Sequence, residues 1–317
     1  MGRSTPLWLS ILLWITAVAL MFSAAVYQRA TGPTYPARGE LTLGGETVRY
    51  ALIRSENTTT DARVFVPAPD VATRGAVYFR RFKTADPFRA LPMAREGGEL
   101  AAGLPAQPAA GKLEYYLVLE NGDEQVRIPR LEGVAEAEAE AASEGSSDEN
   151  IVIRFKDPVP GPLLWSHVAF MFFSVLIGMR TGLSALFAPT GMRLLAWITF
   201  VGLTIGGMIL GPFVQKHAFG EYWTGFPWGY DLTDNKMLIM WIAWLIACST
   251  IGLRERRDEG LGTPSRRKAN VGRAVVFVAA LVMTGVYLIP HSMRGSELDY
   301  SKVDQGVPAS EAIGTGD

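Results

Sequence analysis

The stretch that decides the fold is Leu7–Tyr27, LWLSILLWITAVALMFSAAVY: 21 residues without a charge. At 1.5 Å per residue it is long enough to cross the hydrocarbon of a bilayer. The apolar core of a cleaved signal peptide would be about 7–15 residues, so this run reads as an uncleaved anchor. Four more runs follow: Pro162–Met179, Leu194–Val214, Met237–Leu253 and Ala274–Pro290, each free of Asp, Glu, Lys and Arg. Together they predict five membrane spans.

Short-loop Lys and Arg give the direction, because cytoplasmic loops retain them. Arg180 and Arg193 flank the loop after the second run. The loop after the fourth carries Arg254, Arg256, Arg257, Arg266, Arg267, Lys268 and Arg273. Both loops are therefore assigned to the cytoplasm, together with the N-terminus and its Arg3. Residues 28–161, the loop 215–236 and the chain from 291 onward then lie outside. In these terms the chain belongs in a bacterial inner membrane, with the bilayer as its first partner.

Between the first two runs the pattern changes to period two. Short alternating segments recur at Thr47–Arg54, Arg63–Val66, Ala76–Phe82, Leu113–Leu119, Gln125–Ile128 and Ile151–Phe155, separated by Gly and Pro clusters. That spacing predicts an antiparallel sandwich. Ala109–Tyr116 resembles the late strands of immunoglobulin-like bacterial modules. The fold class expected is a polytopic α-helical membrane protein with five transmembrane helices and an inserted extracytoplasmic all-β immunoglobulin-like sandwich. The expected organisation is an anchor over 1–30, a sandwich over 38–131 and an acidic Ala/Glu/Ser-rich linker over 132–150. A final strand and connection over 151–161, a four-helix membrane domain over 162–291 and an outer tail over 292–317 complete it.

Composition limits the chemistry. Of 317 residues, 30 are Lys or Arg and 31 Asp or Glu, a balance that lacks the basic excess of a nucleic-acid binder. One cysteine excludes a disulfide framework, a CxxC redox pair and covalent haem attachment through two thiols. The three histidines, His167, His217 and His291, all fall near outer ends of the predicted spans.

The most unusual stretch is the aromatic outer loop 215–236, with six aromatics between Phe219 and Tyr230 and Trp241 and Trp244 beyond. Trp and Tyr favour a membrane interface. A belt of that kind does not account for the interspersed glycines, or for Glu221, Asp231 and Asp234 beside so much apolar surface.

Gly207–Gly211, Ala218–Trp223, Trp228–Asp231 and the following Trp241 resemble the tryptophan-rich "WWD" region of the haem-handling membrane proteins of cytochrome c biogenesis. In that family two outer histidines flank the loop, one before the preceding helix pair and one after the following pair. His167 and His291 match that order. The resemblance implies haem as cofactor, His167 and His291 as iron ligands, and Phe219, Tyr222, Trp223, Trp228, Tyr230 and Asp231 as residues holding the porphyrin. His217, at a helix end, reads first as a structural or solvated residue and second as a spare metal ligand or proton-transfer group. It also implies cytochrome c biogenesis or respiratory-chain proteins as partners, and a binding or assembly role rather than a stand-alone enzyme. Phe219 stands where the family has a tryptophan, Tyr230 replaces the Trp before the Asp, and Thr224–Pro227 is an insertion. Three other readings remain open: a membrane electron-transfer subunit retaining a b-type haem, a cofactor-free scaffold docking a partner through its sandwich, and a non-haem metal site built on His217, Glu221, Asp231, Asp234 and His291.

Overall fold

The computed structural model of the protein describes residues 5–130, 150–253, 266–290 and 295–314. His291, Arg294, the acidic linker up to Glu149 and the basic loop 254–265 lie outside the described residues. The chain folds as two compact units. One takes residues up to Gly32, Val159–His217 and 221–295; the other takes Pro33–Pro158, Ala218–Gly220 and the chain from Ser296.

The first unit is helical. Helix α1 is Leu7–Thr31, α2 Gly161–Phe187 and α3 Met192–Leu203. A π-helical segment, Thr204–Leu210, then runs without a break into α4, Gly211–Phe219. Helix α5 is Leu232–Ile251 and α6 Arg266–Leu288. Proline in the first turn of α2 costs nothing, because its missing N–H has no partner there anyway. At the other end α5 stops at Gly252, whose φ of 65° takes the chain out of the helix. Four helices are long and apolar enough to cross a membrane: α1, α2, the continuous α3–α4 rod and Lys268–Leu288 of α6. Helix α5 opens with Asp234, Asn235 and Lys236 before its apolar run.

Helix α2 packs against α1, α3 and α6, while α5 packs against α3 and α6. Val175, Met179, Ala196, Leu203, Trp244, Val276 and Met283 form the shared core. Hydrophobicity alone does little to drive helices together in lipid, so close approach of small residues matters. Gly178 and Gly182 lie one turn apart on α2. A Cβ on Gly182 would sit 2.5 Å from the Cβ of Ala280, and one on Gly178 would sit 2.5 Å from Met283 Cε. These two glycines let α2 and α6 touch.

The second unit is a β-sandwich. The strands are β1 Ala37–Leu43, β2 Glu46–Leu52, β3 Ser55–Asn57, β4 Ala62–Pro67, β5 Arg74–Arg81, β6 Arg89–Pro92 and β7 Ala94–Glu96. They continue with β8 Glu99–Leu104, β9 Lys112–Asn121, β10 Glu124–Ile128 and β11 Ile151–Lys156. One sheet runs β3-β11-β9-β5-β6 with β10 also on β9; another runs β4-β8-β7; β1 and β2 pair as a hairpin. The two-residue turn of that hairpin is Gly44-Gly45, both with positive φ, which matches the twist of the strands it joins. Strand β9 is the spine. Its Leu113, Tyr115, Leu117 and Leu119 bury against Val64, Val66, Leu100 and Leu104 from β4 and β8.

The C-terminal stretch is an integral part of this unit. It supplies β12 Glu297–Leu298, a short helix α7 Tyr300–Asp304 and β13 Ile313–Gly314, which pairs with β12. Leu298 N donates to Ala110 O at 3.1 Å. The buried Tyr300 hydroxyl accepts from Lys112 N at 3.1 Å and lies 3.0 Å from the Lys112 carbonyl. Arg81 bridges Asp86 and Asp304. Arg154 Nη2 donates to Ser296 O at 2.6 Å while its guanidinium covers the Phe219 ring at 3.9 Å. Asp157 N donates to Ala218 O at 2.9 Å. The acids of the tail therefore have local employment: Asp299 caps α7, and Glu297 pairs with Lys83 and Lys112.

Two outcomes follow. Gly182→Leu forces α2 from α6 and lowers unfolding stability in detergent by about 1–3 kcal/mol, the usual cost of overpacking. Gly285→Ala, with open space at its Cβ, does not lower it. Burial opposes the charge on Glu297, but Lys112 and Lys83 override it and hold the carboxyl below its usual range. A depressed folded value contributes stability above the unfolded value of about 4.3 and loses it as pH falls through the folded one. Hydrogen exchange of 297–314 in wild type and Glu297→Gln therefore diverges at neutral pH and converges in acid.

Candidate functional site

His167 sits two turns into α2. Its Nδ1 lies 2.8 Å from the carbonyl of Gly206. A carbonyl only accepts, so Nδ1 carries the proton, and in the neutral ring Nε2 keeps a lone pair. The π-helical turn makes this possible. Its wider turns pair Gly211 N–H with Gly206 O, leaving that oxygen a second lone pair for the imidazole. Glycine at 206 and 207 removes the barrier on both sides. A Cβ on Gly206 would lie 2.8 Å from Phe170 Cβ in α2, and one on Gly207 would lie 2.1 Å from Met237 Sδ in α5. Single π-turns inside α-helices gather at functional sites. Trp241 Nε1 donates to Thr204 Oγ1 at 2.9 Å, so α5 holds the start of the same segment.

The aromatic loop is built on a buried polar frame. Asp231 is the N-cap of α5, accepting from Thr233 N at 2.8 Å and Asp234 N at 3.3 Å. Its second oxygen accepts from Thr224 Oγ1 at 3.1 Å. Asp234 Oδ2 accepts from Thr224 N at 2.7 Å and Gln215 Nε2 at 3.1 Å. Asn235 Oδ1 takes Phe226 N at 2.7 Å, and Asp231 N donates to Thr224 O at 3.0 Å. Gly225 is required here, because a Cβ would fall 2.6 Å from Asp234 Cβ. Asp231 and Asp234 are 5% and 7% exposed.

On that frame the rings face outward. Trp228 is 77% exposed, Tyr230 76%, Phe226 66% and Tyr222 51%. Tyr222 packs edge-on against Phe213, with Lys216 over its ring at 5.4 Å. Trp223 is half-buried and ties the loop to itself through Phe226 O at 3.1 Å. The loop is thus a fixed scaffold presenting an apolar surface, not a hydrophobic core.

The residues singled out by sequence divide accordingly. Tyr222, Trp223, Trp228, Tyr230 and Asp231 share the loop, with Asp231 serving as its cap. Phe219 belongs to the sandwich unit, under Arg154. His217 is exposed in the last turn of α4. His291 lies outside the described residues. Among the described residues no three His, Cys, Asp or Glu side chains gather to hold a metal ion. Sequence reasoning did not single out Gly206, Thr224 or Gln215. Only the Gly206-Gly207 pair within an apolar run hinted at a close backbone approach. No protein-family model matches this chain, and no curated protein matches it.

Thr224→Val keeps the shape of the side chain and removes the hydroxyl shared by Asp231 and Gln215. Leaving those buried groups short of a partner costs about 1–3 kcal/mol. Chemical denaturation followed by tryptophan emission reads the loss.

Proposed function

We propose that this is a haem-handling membrane protein linked to cytochrome c maturation, holding haem at the outer ends of its helices. One observation carries the reading. The Gly206 carbonyl fixes the His167 imidazole as the Nδ1–H tautomer, leaving the Nε2 lone pair for a metal. Ligating histidines are usually held in this way by a second acceptor. A haem offers a flat apolar face and an iron that accepts imidazole nitrogen, and four exposed rings on a rigid loop suit such a face. In this reading His167 and His291 hold the iron and the loop holds the porphyrin edge. Haem would supply the redox-active iron; this chain would orient it and limit its exposure to water.

The same reading takes α5 as a fifth span. Residues 218–220 precede α5, and residues from 296 follow α6. Both belong to one folded unit, so the number of crossings between them is even. Helix α6 supplies one. Helix α5, 20 residues and roughly 30 Å long, supplies the other. The Lys and Arg of the loops after α2 and α5 support a cytoplasmic N-terminus and an extracytoplasmic, immunoglobulin-like sandwich in a bacterial inner membrane.

Protein purified from haem-replete cells is expected to show a Soret band that His167→Ala and His291→Ala abolish or shift; its absence from the wild type overturns the haem reading. For topology, in a Cys248→Ala background, an impermeant maleimide is expected to label Asp123→Cys and Ala309→Cys from outside. Thr190→Cys reacts only after permeabilisation. The reverse pattern overturns the orientation.

A further inference from the structure

At the far end of α2, thirteen residues and roughly 20 Å along the helix from His167, lies an uncompensated buried cation. Arg180 is 5% exposed. Its Nη1 donates to Ser184 Oγ, whose own proton goes back to Arg180 O at 3.1 Å on the same helix, and its Nη2 reaches Ser10 Oγ only at 3.5 Å. Its Nε has no partner, and among the described residues no carboxylate pairs with it. The guanidinium lies 5.3 Å from the Trp14 ring. Ser10 and Trp14 belong to the first two turns of α1.

Those turns lack an anion as well. Helix α1 begins after Pro6 with no side-chain cap and no acid in its first turn. Pro6 therefore offers no side-chain acceptor to the first N–H groups of this 25-residue helix, which lie at the positive end of its dipole. A guanidinium with no carboxylate partner among the described residues, the Ser10 hydroxyl and a helix N-terminus make a donor set that fits a phosphate. A charge at this depth is costly without a counter-ion.

We infer that Arg180, Ser10 and the N-terminus of α1 form a binding site for the phosphate of an anionic membrane phospholipid. The orientation proposed above makes this a lipid of the cytoplasmic leaflet, where a juxtamembrane arginine is worth about fivefold in affinity. The site owes nothing to the haem reading. It gives α1 a role beyond anchoring: the lipid phosphate fastens the first helix to the second.

The test is native mass spectrometry of the full chain in detergent, titrated separately with phosphatidylglycerol and phosphatidylcholine. Wild type is expected to retain one phosphatidylglycerol in preference to phosphatidylcholine, and Arg180→Leu to retain it about fivefold less. Millimolar inorganic phosphate is expected to displace none. Ser10→Ala keeps the cation and weakens retention by a smaller factor, so the inference stays testable if Arg180→Leu fails to fold. Equal retention of the two lipids by wild type overturns it, as does undiminished phosphatidylglycerol in the variants. Displacement by inorganic phosphate replaces the lipid with a free ion and overturns the lipid assignment.

Discussion

Three separate stretches of chain must meet in the sandwich unit: the long insert 33–158, the tripeptide 218–220 and the tail from 296. Arg154, itself in the insert, ties all three together, with one face on Phe219 and one hydrogen bond to Ser296. Within the helical unit, length and composition make four helices able to cross a membrane.

Much of this was legible in the sequence. The apolar runs mark α1, α2, the α3–α4 rod and α6, because a charge-free stretch of such length is rare outside a bilayer. The period-two segments lie on β2, β4, β5, β9, β10 and β11, whose Val, Leu, Ile and Tyr alternate with polar residues. Other strands were silent. Strand β8 reads ELAAGL, where alanine and glycine blur the alternation. Strand β3 is three residues long and is ordered by its parallel partner β11. The tail was opaque for a related reason: Glu297 and Asp304 look like a solvated acidic end until Lys83, Lys112 and Arg81 are placed beside them. No local pattern encodes partners that lie so far away along the chain.

The candidate site was legible in its parts and illegible in its construction. Histidine and aromatic residues advertise themselves by scarcity and by clustering. The groups that orient them do not. The Gly206 carbonyl is a backbone atom, available because a helix widens for a few residues, and nothing in TIGGMIL announces that widening beyond its two glycines. Thr224 lies in an insertion relative to the pattern the loop resembles, yet its hydroxyl and amide hold both buried aspartates. The loop keeps its polar atoms inside and its rings outside, the inverse of an ordinary core, and that inversion depends on a complete set of hydrogen-bond partners beneath the surface.

The pairing of β12 with β13, and the Tyr300 hydroxyl seated against Lys112, have a meaning for biosynthesis. These residues are the last of the described chain to leave the ribosome. A nascent polypeptide that has delivered everything through β11 still lacks the hairpin and short helix that finish the sandwich. Completion waits until α2 to α6 have been made, so this unit closes only after the helices that interrupt it in the chain. Assembly thereby acquires a built-in order, with β12 to β13 added to a sandwich whose other strands were made long before.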